Sequence, residues 1–176
     1  EKKSLIDIKI GDKITEHFST YFIVENYRDD DVREDDIRIY GKNYKYSLMA
    51  FVNDGTFKNY DHIQIYYETK TDKIVSTSGI FDMSDESSCI SKRNKLASEY
   101  KKKNRITSIF TRVEDTHKFP DGLVDKYIAF DNKKKSFGFK CYIPTEGTPH
   151  LRVQISTHKF DDYVFEKFNP QWDKKP

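Results

Sequence analysis

Two cysteines, Cys89 and Cys141, constrain this 176-residue chain more than any other feature. Cys89 falls near the start of the best helical segment, and Cys141 falls in the cleanest alternating strand. A bridge between them would staple helix to sheet and contribute about 4 kcal/mol in the chain-entropy model. The competing reading is two free buried thiols that act as small hydrophobes. A bridge implies an oxidising compartment, so the expectation is an exported protein, periplasmic or secreted, with a cytoplasmic location as the alternative. The start at Glu1 rather than at a methionine fits a matured or trimmed form.

The length suits one domain with a core of its own, placed here at 1–168, followed by a loose polar tail at 169–176. Hydrophobic residues make up only 36% of the chain, but 13 Phe and 12 Tyr supply large burial areas for a sheet-rich core. Charged residues reach 34% and nearly cancel, leaving a net charge of +2. A net charge this small predicts neither a nucleic-acid binder nor a membrane-surface protein, since both usually need a concentrated basic field. No apolar run is long enough to span a bilayer.

A short helix is expected after Gly11, with Asp12 as its cap and Ile14 and Phe18 on one face. Residues 29–36 are dense in acids and read as a solvated loop. From residue 44 the signals are for strands: 46–51, then a turn at Asn53-Asp54-Gly55, then 62–68 and 74–81, forming an antiparallel meander. A helix follows to about residue 103, capped by Ser84 or Asp85. Glu86 suits its positive end, and Lys101, Lys102 and Lys103 its negative end. Cys89, Arg93, Leu96, Ala97 and Tyr100 lie along one stripe. Further strands are expected at 106–113, 127–130, 136–143, 151–157 and 163–168. Strands, one long central helix, then strands predict an α+β fold, mainly antiparallel, with that helix packed on one sheet face.

In 136–143, Phe137, Phe139, Cys141 and Ile143 share the buried face. Pairing this strand with 151–157 through a hairpin at 144–149 sets Tyr142 opposite Arg152 and Lys140 opposite Gln154, with His158 near Ser136. The outer face then presents Lys140, Tyr142, His150, Arg152, Gln154 and His158. Tyr and Arg are favoured interface anchors, so these six residues form the candidate ligand-binding surface. An ordinary wet sheet face is the plainer alternative.

No motif for catalysis stands out. The acids of 29–36 lack the glycine and closing glutamate of a calcium loop, and two distant cysteines without clustered histidines make no zinc set. His117 and His158 invite a phosphodiesterase-like hydrolase reading. The familiar two-histidine pattern, however, places Thr or Ser two residues after each histidine, where this chain has Phe119 and Phe160. Ser76 and Ser78 sit in a strand without a nucleophile elbow, and no phosphate-cradling glycine loop exists. Neither metal nor cofactor is expected.

The opening Ile8-Lys9-Ile10-Gly11-Asp12, a strand-like lead into a capped helix, superficially resembles small envelope lipoproteins and β-lactamase-inhibitor-like domains. It extends over roughly a dozen residues and brings no functional residue with it. The resulting expectation is a non-catalytic bacterial-type module, monomer or homodimer, that binds a protein or small ligand. An immunity or inhibitor protein using 29–36, or the hydrolase of His117 and His158, are the alternatives.

Overall fold

The structure, a computed structural model, describes residues 3–28, 45–103, 111–119 and 121–168. The acidic segment 29–36 and the tail 169–176 lie outside them. Two 3-10 turns, Leu5–Asp7 and Ile14–Glu16, precede α1 (Thr20–Asn26). Strands β1 (Tyr46–Val52), β2 (His62–Glu68) and β3 (Ile74–Asp82) follow, then α2 (Glu86–Lys103). The chain continues through β4 (Thr111–Lys118), β5 (Val124–Asp131), β6 (Lys135–Ile143) and β7 (His150–Thr157) into α3 (His158–Phe168). All seven strands form one antiparallel sheet in the order β1-β2-β3-β7-β6-β5-β4. The fold is α+β, as expected: one meander, a helical crossover, and a second meander whose last strand joins the first.

The sheet's two faces have different coverings. On the inner face, α2 lies over β5, β6 and β7 and buries Cys89 and Ala97 against Cys141, Leu151, Ile128, Phe130 and Phe139. Asp85 starts this helix by accepting a 2.7 Å hydrogen bond from the Ser88 amide, which satisfies one of the orphan donors of the first turn. The Cys89–Cys141 disulfide is formed, with its Cα atoms 6.0 Å apart and both residues fully buried. The N-terminal turns and α1 cover the other half of the same face, packing Leu5, Ile8, Ile14, Phe18 and Phe22 on Met49, Phe51, Ile63 and Ile65.

On the outer face only α3 is packed among the described residues, and it sits toward the β1–β2 side. Phe160 enters between Tyr46, Leu48, Tyr66 and Val75, with its ring 5.0 Å from Tyr46 and 4.9 Å from Tyr66.

Three expectations need correction. The strand expected at 163–168 is the second half of α3. Thr157 Oγ1 caps that helix by accepting from the Phe160 amide at 3.1 Å, and Phe160, Tyr163 and Val164 form an i, i+3, i+4 stripe that a strand would split between two faces. After Gly11 only a 3-10 turn forms, with Lys13 extended. The Asp12 carboxylate accepts instead from the Lys9 amide and pairs with the His17 ring. The helix of this region is α1, which begins later and is capped by Ser19. Finally, β4 continues past the expected end at 113, over Thr111–Lys118, while residues 106–110 of the expected strand lie outside the described residues. Its alternation is polar on both faces, as suits a charged sheet edge.

Candidate functional site

Residues directly paired across antiparallel strands share a face. The pairings Ile80↔Arg152, Arg152↔Lys140 and Lys140↔Tyr127 therefore set one row on the outer face. A second row is Asp82, His150, Tyr142, Asp125 and His117, and a third holds Gln64, Ser78, Gln154 and Gly138. Five expected residues, Lys140, Tyr142, His150, Arg152 and Gln154, thus stand together, all half-buried. Their register differs from the expected one by two residues. Tyr142 pairs with His150 and Lys140 with Arg152, because the strands zip further toward the 144–149 turn. With a side-chain period of two, that shift leaves every side chain on its expected face.

His158 stands apart. It begins α3, beyond the far end of β7, and its Nε2 donates to the Asn132 carbonyl. His117 lies on edge strand β4, three strands away, against the Tyr127 ring at 5.1 Å. The two histidines are not brought together.

Within the cluster, His150 stacks on Tyr142 with ring centroids 5.0 Å apart, and the Arg152 guanidinium lies 5.6 Å from the Tyr142 centroid. Burial first, then the Arg152 charge, pushes His150 down to about 4, so it is neutral at physiological pH. The Lys140 ammonium is held up by Tyr142 first and then by Asp125 and Asp161, against burial and the Arg152 charge. Asp125 is the residue the sequence reading missed, because the strand carrying it was begun at Tyr127. Its alternation with Tyr127 and Ala129, against Lys126, Ile128 and Phe130, is the signal that places it on this face. It is buried, and burial raises its carboxyl above the usual range while Lys140, His117 and Arg152 pull the other way. Asp161 is raised by burial too, and it accepts from Ser156 Oγ at 2.7 and 2.8 Å.

Hydrogen bonding on this face is incomplete. Gln154 Nε2 donates to Ser76 Oγ at 3.3 Å. Gln64 Oε1, Ser78 Oγ, Asp125 Oδ1 and Arg152 Nε are buried without a partner among the described residues. All four belong to outer-face side chains; a fifth such atom, Thr77 Oγ1, lies on the inner face. Buried polar atoms normally find partners, and each one left alone costs about 1–3 kcal/mol. Most of these atoms among the described residues thus lie on the outer face.

Away from this face, Asp12, Glu16 and His17 are the one group among the described residues whose ligand atoms, within 4.8 Å of one another, suit a metal ion. Asp12 and His17 already satisfy each other there at 2.8 Å. No helix among the described residues is long and apolar enough to cross a membrane. Comparison of the chain with protein-family models, with curated proteins and with solved structures finds no match.

Proposed function

We propose that this chain is a non-catalytic, exported binding module whose outer sheet face takes a small polar ligand. The observation that carries this reading is the set of four orphaned polar atoms on the sheet face that carries Lys140 and Arg152. Arg152 and Lys140 offer donors for an anionic or acceptor-rich group, and Asp125 offers an acceptor for a ligand N–H or O–H. Tyr142, stacked on His150 and 5.6 Å from the Arg152 guanidinium, adds an aromatic group. Amino acids, hydroxy acids and sugar acids carry both kinds of group. The buried Cys89–Cys141 bridge supports export, because cytosolic thiols are kept reduced.

Calorimetric titration with a panel of those three ligand classes tests the reading. Binding by the native chain should be abolished in the double variant Tyr142→Ala, Arg152→Ala, whose thermal midpoint should change little. Undiminished binding in the double variant would remove this face from consideration. Intact mass of protein from its native host tests export: a mass lower by two hydrogens before reduction than after is expected, and two free thiols would contradict it.

A further inference from the structure

A second concavity lies on the inner face, separate from the site above. Helix α2 packs over β5 to β7 and meets β4 through the Arg93–Glu114 ion pair, leaving a cleft of about 290 Å³ between the helix and the edge strand. This volume is at the low end of small-ligand sites. Its floor is apolar: Ile128 and Phe130 are buried at 3% and 2% exposure, with Ala97 beside them. Its rim is cationic on both walls, with Lys101 on α2 and Arg112 on β4. Arg112 pairs with Phe130 and Glu114 with Ile128 across β4 and β5, which stands the charged groups directly beside the apolar floor.

Charge at the rim is unbalanced. Glu114 is the only carboxylate lining the cleft among the described residues, and it is already shared by two arginines, buried Arg93 at 3.1 Å and Arg112 at 2.7 Å. Those two guanidiniums hold its carboxyl below the usual range, Arg112 first. Lys101 makes no ion pair among the described residues. One further negative charge would therefore be met by Lys101 and the remaining donors of Arg112.

We infer that this cleft binds a small amphipathic anion, a single ring or short chain bearing a carboxylate, with its apolar body on Ile128 and Phe130 and its charge between Lys101 and Arg112. Ligand-observed saturation-transfer NMR with 3-phenylpropionate, and with its neutral amide as control, tests this directly. The carboxylate should bind and the amide should bind about tenfold more weakly or not at all. The exposed double variant Lys101→Gln, Arg112→Gln should lose the preference between them. Ser98→Trp, which plugs the mouth from an exposed position, should block both. The outer-face variant Tyr142→Ala, Arg152→Ala should bind 3-phenylpropionate as the native chain does. Absent binding, equal binding of acid and amide, or binding unchanged by Ser98→Trp would each overturn the proposal.

Discussion

Lys140 and Arg152 stand directly opposite each other across β6 and β7. Like charges in this position oppose sheet formation, by a few tenths to about 1 kcal/mol. The fold tolerates the pair because the Asp125 and Asp161 carboxyls favour the charged Lys140 and because Arg152 lies over the Tyr142 ring. Two cations in register, ringed by buried polar atoms without partners, are poor choices for stability alone. They are sensible choices for a site that an acceptor-bearing ligand completes.

Asp125 extends that argument to a trade between stability and binding. Its folded carboxyl is raised above 3.8 by burial, so the unfolded chain releases this proton first. Stability therefore falls as pH rises from about 3.8 through the folded value, and the penalty persists at neutral pH. Asp125→Asn should raise the thermal midpoint at pH 7, narrow its advantage as pH falls toward 3.8, and weaken ligand binding. Melting curves of both proteins across this range check the sign.

His150 gives the opposite slope. Its folded value of about 4 lies below the ordinary 6.5, so the unfolded chain takes up a proton first as pH falls. Its contribution is complete above pH 6.5 and is lost progressively between 6.5 and about 4. Urea titrations over that window should show stability falling with acidity, and His150→Gln should flatten the slope whatever it does to the midpoint at pH 7.

The Cys89–Cys141 bridge closes a loop with a sequence separation of 52, for which the chain-entropy model gives about 4 kcal/mol. Cys89→Ser with Cys141→Ser should lower unfolding free energy by an amount of that order. Reductant should shift the urea midpoint of the native chain and leave that of the double variant where it is.

Gly79 marks another close approach in the core. A Cβ there would come within 2.3 Å of Tyr60 Cδ1, and the Tyr60 ring also packs 4.9 Å from Phe81. Gly79→Ala should therefore cost about 1–3 kcal/mol by overpacking, whereas Gly79→Ala in a Tyr60→Leu background should cost less. A double-mutant cycle by urea denaturation reads that coupling.

The parts of this fold legible in the chain are those where one physical signal acts alone. Strands β2 and β3 alternate cleanly between turn residues, and α2 carries a cap, a dipole-matched charge pattern and an apolar stripe. The faces of Cys141 and Lys140 followed from period two and survived an error of two residues in hairpin register. The rest needed tertiary information. In α3, Phe160, Tyr163 and Val164 have strand-forming residue types, and only the Thr157 cap and the apolar slot beside Tyr46 and Tyr66 select a helix. Strand β4 has no apolar face to read, because one side is a charged edge. The alternation of Asp125 with Tyr127 and Ala129 gives its face, but only the pairing with Tyr142 sets it among the cations.

The most direct test of the central claim follows the Arg152 Nε–H resonance by NMR in arginine-labelled protein. Adding amino acids, hydroxy acids or sugar acids should move that resonance for at least one ligand class, together with the Tyr142 ring signals, and Asp125→Asn should weaken the response. A resonance that stays fixed against all three classes at millimolar concentration, with the fold intact, would contradict the outer face as a ligand site.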